Sequence, residues 1–226
     1  MNLYRPDAAF WQRRRGDPEF QFLIEYLHRQ YEAGQQEEPA PLSYSRFIQF
    51  HRTGSRSEYE TPYLNRRFQL GVRAMLSLLY PEEPCYLSDL QDYLWAICDE
   101  YCWALPAHIR DYTDNDNAVL DLMACETGFA LSEIAFMLGD RLDPLVRSRI
   151  AHELERRILK PYADKQWEWE TSIGNWSAVC AAGVGVTLML AMPDRFKEFR
   201  PRLDRSMACF LSSYREDGVC REGLNY

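Results

Sequence analysis

Three polar segments set among aromatic side chains are the candidates for chemistry in this sequence. They are residues 101–108 (YCWALPAH), 167–176 (WEWETSIGNW) and 217–226 (DGVCREGLNY). In helical folds, binding and catalytic groups are concentrated on loops that a rigid scaffold positions. Aromatic rings beside amide, imidazole and phenol groups suit a cleft that faces carbohydrate, but a large helical core also consumes aromatic residues. The 14% aromatic content therefore leaves both interpretations open.

Other kinds of site have weaker support. Cys98 and Cys102 lie one helical turn apart, but no CxxC or HxxxH pair follows at a recognised zinc-ligand spacing. The sequence also lacks a glycine-rich phosphate loop, a nucleophile elbow and the Ser-His-Asp order of a hydrolase. No cofactor and no metal ligand are therefore predicted for these residues.

Helical periodicity runs through nearly the whole chain, and no strand alternation competes with it. Asp17-Pro18-Glu19 and Asp143-Pro144 each combine a capping residue with proline at the first helical position. The predicted helices are 17–34, 43–50, 61–79, 87–103, a helix from Asp114 or Asp116 to 137, 143–161, 177–192 and 193–214, with a polar loop at 52–60.

This layout predicts an all-α fold of antiparallel helices joined by short loops that often carry proline. An up-down bundle, a helical solenoid and an (α/α) toroid all fit such a layout. The absence of a fixed-period repeat disfavours a consensus solenoid. Residues 178–192 are apolar nearly all round, which predicts a fully buried helix and favours a toroid of two helical layers.

Composition and charge exclude several classes of partner. The 226 residues carry 26 Lys and Arg against 34 Asp and Glu, a net charge of −8 with no basic stripe, so we predict no nucleic-acid partner. The apolar stretch 178–192 is too short for a membrane span, which needs about 20 residues, and no secretory signal is visible. We therefore expect a cytoplasmic protein whose cysteines are reduced thiols.

Several pieces in order resemble the N-terminal helical domain of the heparinase II/III-like polysaccharide lyases, a family that includes alginate lyases. The resemblance covers roughly residues 61–226, and no single piece of it is specific. The matching pieces are Trp103-x-Leu-Pro-Ala-His108, Asp121-Leu with Glu126, the Leu138-Gly139-Asp140 turn, Glu155-Arg156-Arg157 with Pro161, Asn175-Trp176-x-x-Val179-Cys180 with Gly183, and Asp217-Gly218 with Glu222-Gly223 and Tyr226.

The resemblance implies β-elimination on a polysaccharide or oligosaccharide that contains uronic acid. Such a reaction needs a donor that neutralises the uronate carboxylate, a base for the C5 proton and an acid for the leaving oxygen. In the family, an Asn at the start of a buried helix is the donor, and Asn175 falls at that place. A Tyr after the Asp-Gly…Glu-Gly segment is the acid and often the base, and Tyr226 falls at that place. Many members carry His beside the Asn, whereas this chain has Trp176.

The resemblance further assigns His108, Trp103, Trp176 and Glu222 to substrate binding. Each has a plainer alternative. Asn175 fits an ordinary helix cap, His108 a structural hydrogen-bonding residue, Glu222 a residue that orients its loop, and the tryptophans a helical core. Arg66 and Arg67 are interpreted as a solvated helix face in preference to a carboxylate-binding pair.

Two other functions remain open from the sequence. A glycoside hydrolase on a similar toroid needs two carboxylates across a cleft, for which Asp121, Glu126 and Glu222 are the candidates. A helical domain that binds carbohydrate without catalysis needs no acid or base at all.

A toroid of this family needs more helices than 226 residues supply. We therefore expect an incomplete (α/α) toroid, with weakly assigned helices and a polar loop in residues 1–60 and the lyase-like part in 61–226. On this interpretation the chain is the N-terminal portion of a larger lyase and is inactive alone. Its expected partners are the acidic saccharide and the further C-terminal helices and β-sandwich domain of the larger protein. The resemblance allows a metal ion bound by that further part. We also expect self-association through the exposed surface of the inner helices.

Overall fold

The computed structural model describes residue 3 and residues 5–35, 41–113 and 118–221. Most of these residues are helical and none of them forms a β-strand, so the all-α prediction is confirmed. The helices are α1 Ala8–Gly16, α2 Gln21–Gln35, α3 Tyr44–Phe47, α4 Gln49–Thr53, α5 Ser57–Leu79, α6 Pro84–Cys98, α7 Leu122–Leu138, α8 Pro144–Leu154, α9 Lys160–Asp164, α10 Asn175–Ala191 and α11 Pro193–Leu211.

Short tight turns of helix link several of these elements. Four have 3₁₀ geometry, at Pro18–Phe20, Pro106–His108, Gly139–Arg141 and Glu168–Thr171. A π-helical turn, Glu155–Leu159, joins α8 to α9. Such turns occur at the ends of helices and at functional sites.

Two of the helix starts predicted from the sequence were wrong. Helix α5 begins at Ser57, four residues before Thr61, because Glu58 and Glu60 favour its positive end while Pro62 interrupts only an early backbone bond. Helix α6 begins at Pro84, which suits the first helical position, and ends at Cys98 rather than at residue 103.

The start of α7 was also placed wrongly from the sequence. The predicted caps Asp114 and Asp116 lie outside the described residues, and the helix begins at Leu122. The side chain of Asp121 accepts a hydrogen bond from the backbone N–H of Ala124 at 2.7 Å. At the far end of the helix, Gly139 adopts a φ of 53°, as its predicted role as a stop requires.

One helical stretch of the described chain, Leu122–Arg141, is long and apolar enough by length and composition to cross a membrane. This stretch is not the apolar stretch 178–192, which was considered for a membrane span from the sequence and found too short. Of its apolar window, 44% lies buried inside the structure, and the core helix of a water-soluble protein meets the same criterion.

The chain divides into two compact units, and α7 and α8 each contribute residues to both. The first consists of Met1–Glu100 with Ile134–Ile150, and the second of Tyr101–Glu133 with Ala151–Tyr226. The first unit has a core in which α2 and α5 bury aliphatic side chains, with aromatic rings from α1 and α6 beside them. The buried members are Ile24, Leu27, Val72, Leu76 and Leu79.

The interpretation of Arg66 and Arg67 as a solvated face was wrong. Both side chains are largely buried in the first unit, and they bind the carboxylate of Glu100 at 3.0 and 2.7 Å. Glu100 follows α6, so this ion cluster joins the end of α6 to the face of α5. A buried carboxylate needs such partners to offset its lost hydration.

In the second unit, α7 and α10 pack unusually closely. A Cβ placed on Gly183 would lie 2.6 Å from the backbone oxygen of Cys125, so only glycine fits at this crossing. Helix α10 matches the helix predicted over 177–192, but the prediction of full burial was wrong. Ala182 is exposed, and Val186 and Met189 are only partly buried along the same face.

We expect the substitution Gly183→Ala to lower the free energy of unfolding by about 1–3 kcal/mol, because α7 or α10 must move to admit the methyl group. Gly71→Ala in α5 is the matched control, since a Cβ there meets nothing within 4 Å. Removing a helical glycine at that open position should raise stability by up to about 1 kcal/mol. Denaturant unfolding of both variants tests this, and equal effects would contradict the close approach.

Candidate functional site

The second unit brings the first two candidate segments together around one carboxylate. The side chain of Asp121 is fully buried, and its Oδ2 atom accepts a hydrogen bond from the backbone N–H of Leu105 at 3.0 Å. The same oxygen lies 2.6 Å from Nδ1 of His108. Its other oxygen caps α7 through Ala124. One carboxylate thus fixes the 101–108 loop against the start of a helix.

The contact with Asp121 determines which nitrogen of His108 faces outward. A carboxylate accepts hydrogen bonds, so Nδ1 carries the proton in this pair and the neutral ring is the Nδ1–H tautomer. Nε2 forms no hydrogen bond to any part of the chain that the structure describes, and the side chain is 17% exposed. His108 therefore presents a lone pair that can accept a proton, while Asp121 stabilises the resulting imidazolium.

Trp176 lies against this histidine, and Asn175 precedes Trp176 in the chain. The rings of His108 and Trp176 meet edge to face with centroids 4.8 Å apart. Asn175 is the first residue of α10 and follows the extended Gly174. Asn175 therefore stands in the first turn of a 17-residue helix, and the positive end of a helix favours a bound carboxylate.

The segment that leads into α10 is held by a buried glutamate. Glu170 accepts a hydrogen bond from the backbone N–H of Trp167 at 2.6 Å, and Arg202 of α11 binds both of its oxygens. Arg202 also donates to the backbone oxygen of Tyr162 at 2.6 Å. A two-pronged guanidinium contact of this kind fixes orientation as well as distance.

Two further hydrogen bonds set the position of the same segment. The hydroxyl of Ser177 in α10 donates to the backbone oxygen of Trp169 at 2.5 Å. The indole N–H of Trp169 donates to the backbone oxygen of Leu120 at 3.0 Å, next to Asp121. The start of α10 and the Asp121 carboxylate are therefore connected through one short stretch of chain.

The structure places Trp103 in the core, with only 2% of its surface exposed. The guanidinium of Arg157, from the π-helical turn, lies 5.1 Å from its ring centroid and donates to the backbone oxygen of Tyr101. Trp103 thus supports the 101–108 loop and leaves no ring face open to a sugar.

Arg157 is itself held by Glu153. Burial favours the neutral form of Glu153, but hydrogen bonds from Arg157 and Arg156 outweigh this effect and lower the pKa of Glu153.

The acids nominated for hydrolysis do not form a facing pair within the described residues. Asp121 is enclosed by the donors that it binds, and Glu222 lies outside the described residues. Glu126, one turn further along α7, is exposed at its surface. Partial burial raises the pKa of the Glu126 carboxyl, and the negative charge of Asp121 adds to that increase.

Of the predicted site residues, the structure brings His108 and Trp176 into contact, Asn175 precedes Trp176 in the chain, and Trp103 is buried within the 101–108 segment. Tyr226 and Glu222 lie outside the described residues. The sequence reasoning missed Glu170 and Arg202. It gave Asp121 as a piece of the resemblance and as a hydrolytic acid but not as a helix cap, although an aspartate directly before a long apolar helix is a capping signal. No group of three or more His, Cys, Asp or Glu side chains suited to a metal ion occurs in the described ranges.

No protein-family model matches the chain, and no curated protein matches it at a level that indicates common ancestry.

We expect neutral His108 to hold its proton on Nδ1, because the Asp121 carboxylate is the acceptor that faces this nitrogen among the described residues. Long-range ¹H–¹⁵N spectra of the imidazole should show an unprotonated Nε2 and a protonated Nδ1. His152, whose side chain is 66% exposed and whose Nε2 lies 3.9 Å from an oxygen of Glu153, supplies the internal comparison with the carboxylate on the other nitrogen. A protonated Nε2 on neutral His108 would show that the carboxylate does not set the tautomer.

Proposed function

We propose that this protein is a polysaccharide lyase of the heparinase II/III-like kind, which cleaves a saccharide containing uronic acid by β-elimination. We further propose that its helices form part of an (α/α) toroid. The proposal is supported chiefly by one observation: Asn175, at the start of α10, stands next to Trp176, whose ring contacts an imidazole that Asp121 orients.

Binding of the uronate carboxylate falls to Asn175 in this proposal. The amide N–H₂ donates to the carboxylate, and the positive end of α10 adds a favourable field. Withdrawal of charge from the carboxylate makes the C5 proton more acidic, because the carbanion that forms is stabilised by the same donors. Unlike a lysine or arginine, the neutral Asn175 amide binds the carboxylate of the substrate and of the product without forming a buried ion pair.

Removal of the C5 proton falls to His108. Nε2 is the open acceptor of the ring, and the carboxylate of Asp121 stabilises the imidazolium that results. Many members of the family that the chain resembles carry a histidine directly beside the asparagine. Here Trp176 stands at that position, and an imidazole from the 101–108 loop lies against it with ring centroids 4.8 Å apart.

Protonation of the leaving oxygen is assigned to Tyr226, on the strength of the resemblance alone. Trp176 is partly exposed and offers an aromatic surface for a sugar ring, the role that the buried Trp103 does not fit. A hydrolase has less support, since the Asp121 side chain has no exposed surface that water or sugar could reach and its oxygens accept from Leu105, Ala124 and His108.

The proposal separates binding, proton removal and bond cleavage, and each has its own measurement. We expect the protein to bind a uronate oligosaccharide more tightly than the same oligosaccharide with its carboxylates reduced to alcohols. Asn175→Ala should weaken uronate binding at least about tenfold, the value of one hydrogen bond to a charged group. Asn65→Ala, on the exposed face of α5, is the control for loss of an amide.

Proton removal is measured as exchange of the C5 hydrogen for deuterium in D₂O, which needs a base but no leaving-group acid. Exchange and product formation are measured on a protein that also carries the further helices and the β-sandwich domain that the resemblance implies. His108→Gln should slow this exchange by about 10²–10⁴-fold while retaining binding, and His152→Gln should not. Tyr226→Phe should reduce the ultraviolet-absorbing unsaturated product more than it reduces exchange.

Three other outcomes would contradict the proposed lyase activity. Equal affinity for the uronate and the reduced saccharide would remove the substrate class. A plain reducing sugar without a double bond would indicate a hydrolase. Uronate binding with neither deuterium exchange nor unsaturated product would indicate a carbohydrate-binding domain without catalysis.

A further inference from the structure

One arginine of α11 holds together the backbone that comes before α10. Arg202 donates from Nε to Oε2 of Glu170 and from a terminal nitrogen to Oε1, each at 2.5 Å. Its guanidinium also donates to the backbone oxygen of Tyr162 at 2.6 Å and to that of Lys165 at 2.5 Å. The end of α9, the turn Glu168–Thr171 and α11 therefore meet at a single guanidinium group.

The face of this guanidinium is covered as well as its nitrogens. It lies 4.0 Å from the ring centroid of Tyr162, which is fully buried and stacks on Trp169. Hydrogen bonds to Glu170 raise the pKa of Arg202 more than burial lowers it, so the group stays charged. A lysine ammonium is a compact point charge and cannot match both carboxylate oxygens with paired bonds, so the contacts are specific to arginine.

The turn that this guanidinium holds is bonded directly to the first turn of α10. The buried hydroxyl of Ser177 lies within hydrogen-bonding distance of the backbone oxygens of Trp169, at 2.5 Å, and of Ser172. Glu170 lies between these two acceptors in the chain. A displacement of Glu170 therefore moves the acceptors of Ser177, and with them the start of α10, where Asn175 is the first residue.

Stability alone does not account for this ion pair. The side chain of Glu170 is only 3% exposed and that of Arg202 is 19% exposed. Replacing a buried ion pair by apolar residues of similar size is often neutral or stabilising, because burial of the charges offsets their attraction. Paired bonds between a guanidinium and a carboxylate do, however, fix the relative position of the two groups.

We propose that Arg202 is a positioning residue for uronate binding, which acts through Glu170 to fix the start of α10 and with it Asn175. The inference rests on the proposed function, in which the Asn175 amide binds the uronate carboxylate. Arg202 does not contact the saccharide in this account. A shift of about 1 Å in a binding group is enough to lose much of its effect, so loss of Arg202 should weaken binding although the binding groups are unchanged.

The test is a double-mutant cycle on the full chain, measured by calorimetry with a uronate oligosaccharide and with its carboxylate-reduced form. Arg202→Met should raise the Kd for the uronate about three- to tenfold and leave that for the reduced saccharide unchanged. In a protein that already carries Asn175→Ala, Arg202→Met should have no further effect, because Arg202 acts through that amide. Arg200→Met, on the same helix and 67% exposed, is the control and should bind as the unaltered protein does.

A second variant keeps the test decisive if Arg202→Met fails to fold. Loss of the arginine alone leaves Glu170 buried without its ion-pair partner, which is strongly destabilising. The double substitution Glu170→Gln with Arg202→Met removes both charges and keeps side chains of similar size. It should fold and should lose the same affinity for the uronate as Arg202→Met.

The proposal is overturned if removing Arg202 weakens uronate binding equally with and without Asn175, if it weakens binding of both saccharides equally, or if it changes neither Kd. Absence of uronate binding in the unaltered protein would instead overturn the lyase, and amide hydrogen exchange then decides whether Arg202 positions α10. Exchange at the backbone N–H of Ser177 should accelerate in the double substitution, and that of Met192 at the other end of α10 should not. Unchanged exchange at Ser177 would show that Arg202 does not fix the start of this helix.

Discussion

The candidate site depends on the burial of one carboxylate, that of Asp121. Removing a carboxylate from water costs several kcal/mol unless donors replace its hydration, and here three donors do so. Two of them, the backbone N–H groups of Leu105 and Ala124, lie on segments separated along the chain. The third donor is His108, the residue to which the proposed function assigns removal of the C5 proton. Because buried Asp121 needs all three hydrogen bonds, the 101–108 loop, the start of α7 and the His108 ring are held in fixed positions around its carboxylate.

The fold could be predicted from the sequence wherever a local signal governs the backbone. Gly139 ends α7 as its left-handed conformation requires, and Asp143 with Pro144 starts α8. The predictions failed where a residue distant in the sequence determines whether a side chain is buried. Arg66 appeared solvated because nothing in its own helix indicates that Glu100, 34 residues later, lies over it. The full burial predicted for α10 failed because an apolar composition does not specify which faces are covered.

The sequence singled out candidate residues but not the contacts between them. The segments that hold Asn175, Trp176 and His108 attracted attention as polar residues set among aromatic ones, and the resemblance then assigned the individual residues. The contact between Trp176 and His108 joins positions 68 residues apart, and no periodicity reports on such a contact. Arg202 was missed for the same reason, since an arginine on an amphipathic helix resembles an ordinary surface charge until Glu170 is placed beside it.

The most direct test of this account is amide hydrogen exchange in the substitution Asp121→Ala. If the buried carboxylate holds both segments, exchange at Leu105 and at Ala124 should accelerate together, by about 1 kcal/mol or more in opening free energy, relative to the amides of α5. Asp143→Ala, which removes the exposed cap of α8, should leave both unchanged. Acceleration at Ala124 alone would mean that Asp121 is an ordinary helix cap and that the site is organised by something else.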